Sequence, residues 1–255
     1  MPRLPLLAFL VLLAVGGAVR GAPAAPVGIF GKDDRRVVAE GDRRFDAVGR
    51  INRGGGSFCT GVLVAADEVL TAAHCLWSLA RHGWVHPDEV HFVAGYRRGD
   101  YLAHARGRTL RLPGGDAMDE DGHPRTLPDD WAVVVLDRPI GGVDPMRLAT
   151  PADRPDLEGG GARLARVGYG ADRPYLPILV EGCHPLGLAW AGRVLLHDCD
   201  ATFGDSGSPV LLKRQNGAFA VLGVQSAIVG HGGMQAGAAV LMQRGIPAGA
   251  LRAAR

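Results

Sequence analysis

Short apolar runs, separated by glycine, proline and aspartate, dominate most of the chain. Runs of strand length include FCTGVLVA (58–65), EVLTAA (68–73), WAVVVL (131–136), GRVLLH (192–197) and FAVLGVQSA (219–227). Few stretches show helical periodicity. Because 38 glycines and 17 prolines recur among these runs, turns must follow one another at short intervals. The pattern predicts an all-β protein, built as an antiparallel sandwich or barrel.

The richest Pro and Gly stretch, DRPIGGVDPMRLATPADRPDLEGGG (137–161), lies near the middle of the 255 residues. Such a stretch is typical of a connection between compact units. We therefore predict a linker at 141–160 between two β domains of about 100 residues each. The first domain is expected at 37–140 and the second at 161–255.

The N-terminal residues have the pattern of an export signal. Arg3 precedes an apolar run from Leu4 to Val15, and Ala22-Pro23-Ala24 fits a small-residue cleavage site. The run is shorter than the roughly 20 residues that span a membrane. We predict a signal peptide at 1–24, with cleavage after Ala18 as the alternative, no stable membrane anchor, and a secreted or periplasmic protein.

Composition excludes several classes of function. With 47% hydrophobic and 21% charged residues the chain is not of the disordered class. A net charge of +2 gives no reason to expect nucleic acid or an acidic membrane surface as the main partner. Function is therefore expected to lie in specific sites.

Four cysteines in an exported chain favour two disulfides over a metal site, because thiols oxidise outside the cytosol. The pairs Cys59 with Cys75 and Cys183 with Cys199 each close a span of 16 positions. A loop of that length stabilises a fold by about 3 kcal/mol in the chain-entropy model. The other two pairings stay open at this stage.

The histidines lack metal-ligand spacing, so no metal site is predicted.

Three separated residues have the chemistry needed for acyl transfer. A serine hydroxyl is a poor nucleophile at neutral pH, and it needs a base and a carboxylate that orients the base. Ser206 lies in GDSG (204–207), His74 in LTAAHC (70–75), and Asp130 directly before an apolar run. The order His, Asp, Ser is that of the chymotrypsin-like enzymes. The N–H groups of Gly204 and Ser206 are the candidate oxyanion hole.

These segments resemble the trypsin/chymotrypsin-like serine endopeptidases, with some features of the glutamyl endopeptidase branch. FCTGVLVAADEVLTAAHC (58–75) is similar to the family's histidine block, DDWAVVVL (129–136) to its aspartate block and FGDSGSPV (203–210) to its serine block. The resemblance implies two six-stranded antiparallel Greek-key barrels with the active site in the cleft between them. His74 and Asp130 would come from the first barrel and Ser206 from the second.

The resemblance also implies an enzyme that acts on protein or peptide substrates. Acyl-enzyme chemistry of this kind needs no cofactor, and we expect a monomer. Asp130 rather than Asp129 is the expected catalytic acid, because the family's aspartate immediately precedes the apolar run. The alternative is a catalytically silent binding protein on the same fold, against which the presence of all three residues argues.

Substrate preference is expected to depend on Asp200, six residues before Ser206, where trypsin-like members carry the aspartate of their substrate pocket. This implies cleavage after Arg or Lys. Thr202, however, stands where trypsin has a half-cystine that braces the pocket wall. Cleavage after Glu is the weaker alternative, because Gln225 stands where glutamyl endopeptidases usually have histidine.

Another part of the pocket wall is GVQSAIVG (223–230). By the resemblance, the backbone of Ser226 would pair with bound peptide. Ala227 and Ile228 replace the family's usual aromatic residue and glycine, and the isoleucine would narrow the pocket.

The family also suggests a mode of activation. The acid before the catalytic serine, here Asp205, pairs with a new α-amino group after propeptide cleavage. Val37, which follows Arg36, is the expected terminus, and 25–36 would be the propeptide. Val27 and Ile29 are the alternatives, since VGIFGKDDRR (27–36) also resembles mature starts of the glutamyl branch.

Overall fold

The computed structural model describes residues 27–54, 56–114, 117–153, 157, 161–231 and 234–242. Among these residues there are sixteen β-strands, five short 3-10 turns and no α-helix. The strands are β1 (Arg36–Val37), β2 (Val48–Asn52), β3 (Phe58–Ala65), β4 (Glu68–Thr71), β5 (Trp77–Ser78), β6 (Gly83–Trp84), β7 (His91–Ala94), β8 (Ala103–Arg111), β9 (Ala132–Leu136), β10 (Leu164–Gly168), β11 (Ile178–Cys183), β12 (Pro185–Ala189), β13 (Val194–His197), β14 (Pro209–Lys213), β15 (Phe219–His231) and β16 (Met234–Leu241). The 3-10 turns are Arg43–Phe45, Ala73–Leu76, Pro87–Glu89, Leu127–Asp129 and Pro151–Asp153.

The first half of the chain forms a closed antiparallel barrel in the order β2-β3-β4-β9-β8-β7. Two neighbouring strands of the barrel, β4 and β9, are buried at every position. This explains the continuous apolar run of β9, since side chains on both faces of the strand are covered. Large side chains such as Ile51, Leu63, Leu70 and Phe92 fill the core.

The second half forms an antiparallel sheet in the order β1-β11-β10-β14-β15-β16-β13-β12. Only His184 separates β11 from β12, so these two strands are halves of one bent strand. One half pairs with β10 and the other with β13. The sheet therefore curls round and closes as a second six-stranded barrel, with β1 added at its edge. The predicted all-β fold of two six-stranded barrels is confirmed.

The chain between the barrels contacts both of them. The N–H of Ile140 donates to Ala66 and that of Met146 to Leu63, both in the first barrel. The N–H of Ala149 donates to Val221 of the second barrel. This connection lies in the Pro-rich and Gly-rich region, but the domain limits at 37, 140 and 161 remain predictions.

Two disulfides, Cys59 with Cys75 and Cys183 with Cys199, confirm the predicted pairs. The first ties β3 to the turn that carries His74. The second joins the bend between β11 and β12 to the start of the loop that carries Ser206. Each therefore holds a functional segment to its barrel.

The predicted leader at 1–24 lies outside the described residues. Within the part of the chain that the structure describes, no helix is long and apolar enough to cross a membrane.

Replacing Cys183 and Cys199 together by alanine is expected to lower the free energy of unfolding by about 3 kcal/mol, since a closed loop near 15 residues is lost. Guanidinium denaturation checks this value. The matched control replaces Cys59 and Cys75, which close a loop of equal span. This control variant should lower the free energy of unfolding by a similar amount, but it should lower the activity more than the first variant does, because Cys75 adjoins His74. Equal activity losses in the two variants would contradict this.

Candidate active site

His74 and Asp130 are brought together by the pairing of β4 with β9. His74 lies in the turn Ala73–Leu76 that follows β4, and Asp130 ends the turn Leu127–Asp129 before β9. Thr71 pairs with Ala132 in the antiparallel register. The residue after one strand and the residue before the other therefore meet at the same end of the barrel.

Asp130 holds His74 at two points. Its Oδ1 accepts the backbone N–H of His74 at 2.9 Å, and its Oδ2 lies 2.7 Å from His74 Nδ1. The Asp130 side chain is fully buried. A carboxylate at this position accepts a hydrogen bond from a protonated Nδ1. The lone pair of the neutral ring is therefore left on Nε2. This is the tautomer that a general base requires.

Ser226 provides a third hydrogen bond to the same carboxylate. Its Oγ donates to Asp130 Oδ2 at 2.5 Å, and the residue is buried. The β15–β16 register shifts between Gln225 and Ala227, and a bulge of this kind re-aims the side chain within it. From the sequence we expected a backbone contact with peptide from Ser226; the hydroxyl contact with Asp130 was not foreseen.

Ser206 and Gly204 lie in the loop between β13 and β14, which is fastened to the first barrel. The N–H of Thr60 donates to Ser206 O at 2.9 Å, and Thr60 Oγ1 donates to Gly204 O at 3.1 Å. Gly204 has φ +91°, and a Cβ there would lie 2.6 Å from Tyr169 O. Only glycine fits this conformation. Among the described residues, the N–H groups of Gly204 and Ser206 have no acceptor.

His74, Asp130 and Ser206 line one cavity of about 560 Å³. His74 Nε2 lies 3.8 Å from Cys75 Sγ. Within the described chain no hydrogen bond joins the Ser206 hydroxyl to the His74 ring, and catalytic hydrogen bonds commonly tighten only when substrate binds. The cavity therefore combines a buried acid, an oriented imidazole, a serine and two free N–H donors.

Comparison with known proteins agrees with this geometry. A family model described as a trypsin-like peptidase domain matches residues 59–224, more than half of the chain. The chain belongs to this family. It is therefore a serine-type endopeptidase, as the sequence resemblance predicted.

One similar solved structure is titled "Structure of Glu endopeptidase in complex with MPD". It matches with a TM-score of 0.65 and 22% sequence identity, over 84% of this chain and 94% of that one. At this identity the likeness demonstrates the shared fold. No curated protein matches the chain.

The electrostatics of this trypsin-like peptidase favour an ionised Asp130 beside His74. Burial alone would lower the pKa of His74, but the charge and hydrogen bond of Asp130 outweigh it and raise that pKa above 6.5. Burial likewise opposes ionisation of Asp130, and His74 together with the Ser226 hydroxyl lowers its pKa below 3.8 despite it. Each group therefore stabilises the charged form of the other.

Asp205 has a partner other than the one expected. Its Oδ1 lies 2.5 Å from Arg166 Nη1, and both side chains are buried. Its Oδ2 accepts the N–H of Thr202 at 2.8 Å. Val37, in β1, instead pairs with Ile178 of β11. The structure therefore does not bring Val37 to Asp205. A cation from within the second barrel already neutralises this carboxylate.

Asp200, the expected substrate-binding acid, does not line the cavity. It is 2% exposed, and its carboxylate accepts the N–H of Phe30 at 2.7 Å. The next two residues, Ala201 and Thr202, do line the cavity, together with Ile228 and with Val27 from the N-terminal segment. The right spacing from Ser206 therefore did not put this carboxylate in the pocket.

One group of residues in the described chain has three metal-ligand atoms within 4.8 Å of one another, namely Cys59, His74 and Cys75. Both sulfurs belong to a disulfide and are not thiolate ligands. The group is therefore part of the site's framework.

Two residues of the site were missed from the sequence, although each left a signal. Arg166 is a lone charge in the apolar run LARVG of β10, and a buried charge requires a partner. Phe203, which lines the cavity, is 80% exposed. Its signal was a large apolar residue at the edge of a glycine-rich loop.

The His74 ring should titrate above pH 6.5, because Asp130 stabilises the imidazolium. NMR of the ring protons in Ser206→Ala measures this, and His104 supplies an internal control, since burial and then His91 lower its pKa below 6.5. A raised pKa keeps His74 protonated to higher pH. The acid limb of the pH profile of kcat/KM should therefore have its midpoint above pH 6.5. A His74 midpoint below that of His104 would contradict this.

Arg166→Met should lower the free energy of unfolding by about 3–5 kcal/mol, since it leaves Asp205 buried and unpaired. Its control is Arg36→Met, which breaks an exposed ion pair with Glu181 and should cost less than about 1 kcal/mol. Chemical denaturation measures both values.

Arg36→Met also removes the basic residue before Val37. Because Arg166 already pairs with Asp205, this variant should still be labelled by a fluorophosphonate at the wild-type rate. Loss of labelling in Arg36→Met would show instead that a new terminus at Val37 is needed for activity.

Proposed function

We propose that this chain is a secreted or periplasmic serine endopeptidase that hydrolyses protein or peptide substrates through an acyl-enzyme. Ser206 is the nucleophile, His74 the general base and Asp130 the residue that orients His74. The observation that carries the assignment is the two-point contact of buried Asp130 with His74, in a cavity that Ser206 also lines.

In the first step Ser206 Oγ attacks the carbonyl carbon of the scissile bond while His74 Nε2 takes the hydroxyl proton. The imidazolium then gives this proton to the leaving amine, and the C–N bond breaks to leave an ester. In the second step water attacks the ester, with His74 again as the base, and Ser206 regains its proton. Asp130 stays ionised throughout and stabilises the imidazolium.

The tetrahedral intermediate carries a negative oxygen, for which the N–H groups of Gly204 and Ser206 are the proposed donors. Each such donor contributes about 2.7–4 kcal/mol to transition-state stabilisation. The positive φ of Gly204 supports the assignment, since it turns the peptide plane without a steric penalty.

Export is supported by the leader pattern at 1–24 and by the two disulfides, which form and persist in oxidising compartments. Activation by cleavage between Arg36 and Val37 has weaker support. That peptide bond lies within β1, which pairs with β11, and Asp205 already has a cationic partner in Arg166.

Preference for Arg or Lys rested on Asp200, and burial of that residue beneath the N-terminal segment removes its main support. Preference for Glu has only the fold likeness to a Glu endopeptidase behind it. Among the described residues that line the cavity there is no Lys or Arg to pair with an acidic side chain. A silent binding protein is disfavoured, because Asp130 holds His74 in the tautomer that a general base requires.

A fluorophosphonate probe tests the proposal directly. Purified wild type should be labelled once per molecule, and Ser206→Ala should not be labelled. Asp130→Asn should lower kcat by about 10⁴-fold, as removal of the orienting carboxylate does in the chymotrypsin-like example. Peptide mapping and turnover of a peptide library provide the measurements.

A neighbouring serine serves as the control. Ser208 is buried and accepts a bond from Arg166 at 3.4 Å, so Ser208→Ala should keep the labelling. Labelling that persists in Ser206→Ala would remove Ser206 as the nucleophile.

A further inference from the structure

The N-terminal segment 27–34 covers the acid that the sequence assigned to the substrate pocket. The N–H of Phe30 donates to Asp200 Oδ1 at 2.7 Å and that of Asp34 to Oδ2 at 3.4 Å. In return the N–H of Ala201 donates to Gly28 O at 2.9 Å. Burial raises the pKa of Asp200, and these hydrogen bonds only partly oppose that rise. Asp200 is thus engaged as an anchor for backbone.

Gly28 packs tightly against the pocket wall. A Cβ at Gly28 would overlap with Ala201 O and Ile228 Cδ1. Its φ of +89° also requires glycine. The segment is therefore fitted against both sides of the pocket, with no room for a larger residue.

Arg35 fastens the other end of the segment. Its guanidinium is buried and pairs with Asp33 at 2.9 Å and with Asp172 at 2.9 Å. It also lies 3.4 Å from Thr202 Oγ1, in the serine loop. Cleavage before Val37 would remove both segment 27–34 and Arg35, break these contacts and expose Asp200. We therefore expect the segment to be retained in the active enzyme.

Most of the described residues that line the cavity with Ser206 carry no charge. Those from the N-terminal segment and the second barrel include Val27, Ala201, Thr202, Phe203, Ala227 and Ile228, together with the polar amide of Gln225. The ionisable lining residues of the described chain are His74, His123 and Asp130. Asp130 is saturated by His74 and Ser226, and His123 lies 3.6 Å from Asp119 on the exposed rim. Among the described side chains that line this cavity, none is therefore left to neutralise a charged substrate side chain.

We propose, on the basis of the function argued above, that this pocket accepts a neutral apolar side chain before the scissile bond. Val27, at the start of segment 27–34, lines one side of the pocket, and Asp200 is a positioning residue for that segment. A charged side chain would lose its hydration without gaining a partner, and such burial is strongly unfavourable. Ile228 and Val27 limit the size of the side chain that enters.

The test uses the exported full-length chain. The fluorophosphonate-labelled species is isolated and its N-terminus identified by mass spectrometry, and the unlabelled enzyme is profiled with a peptide library that varies the residue before the scissile bond. We expect residues 27–34 to be present in the labelled species. Leu, Met, Val or Ala substrates should exceed Arg, Lys and Glu substrates by about 100-fold or more in kcat/KM.

Two glycine variants test the wall. Gly28 and Gly31 share a positive φ of +89° and +88°, but a Cβ at Gly31 would meet nothing within 4 Å. Both Gly→Ala variants therefore carry similar backbone strain, and only Gly28→Ala pushes on the pocket. Gly28→Ala should lower kcat/KM for the best neutral substrate by about 10- to 100-fold, with Ser206 still labelled by the fluorophosphonate. Gly31→Ala should leave kcat/KM within about twofold of the wild-type value.

The variant Asp200→Asn distinguishes a residue that anchors segment 27–34 from one that pairs with a cationic side chain of the substrate. An amide oxygen still accepts the Phe30 N–H, so the neutral preference should persist. If Asp200 bound a cationic side chain, the same change would lower kcat/KM for Arg substrates by about 30-fold or more.

The outcomes distinguish the two proposals. Absence of Ser206-dependent labelling would overturn the catalytic assignment itself. Labelling with a preference for Arg, Lys or Glu would overturn the neutral pocket alone. So would a labelled species that begins at Val37, which lacks the segment, or at Val27, whose α-amino group would add a charge beside the cavity. The wild-type profile decides this even if a variant fails to fold.

Discussion

The buried carboxylate of Asp130 is the interaction on which the rest of the site depends. Removing a carboxylate from water costs several kcal/mol unless every lone pair is satisfied. Here the donors are the backbone and ring of His74 from the first barrel and the hydroxyl of Ser226 from the second. The requirement that keeps the acid stable therefore also sets how the two barrels pack, and it orients the base at their junction.

A second buried charge organises the serine loop in a similar way. Arg166 bonds both to the Asp205 carboxylate and to the Asp200 backbone carbonyl, at 2.5 and 2.7 Å. The Asp200 carboxylate in turn holds the N-terminal segment. Two neighbouring acids in one loop thus have different tasks, one ordering the oxyanion turn and the other closing the pocket. Both tasks depend on groups distant in sequence, from β10 and from residues 27–34.

Much of the fold followed from local pattern. The strands follow short apolar runs, because burial on one or both faces requires apolar side chains at regular positions. The two disulfides are the local pairs that the spans of 16 positions favoured, although the sequence left the other two pairings open. The partners of Ser226 and Asp205 did not follow from pattern. A hydroxyl or a carboxylate accepts several kinds of partner, and only the folded arrangement selects among them.

By itself, the sequence determined the residue types of the site, their order and the all-β class, because apolar periodicity, turn residues and the three motifs are local properties of the chain. The two six-stranded barrels were implied by the resemblance of those motifs to a known family. The tertiary structure alone decided what Asp200 and Asp205 do. A carboxylate six residues before a serine will bind a substrate cation or a backbone N–H according to which lies within hydrogen-bond distance. In this structure the N–H of Phe30 lies within that distance of Asp200, and the guanidinium of Arg166 lies within it of Asp205. Both groups are distant from the serine loop in sequence, so only the folded chain brings them there.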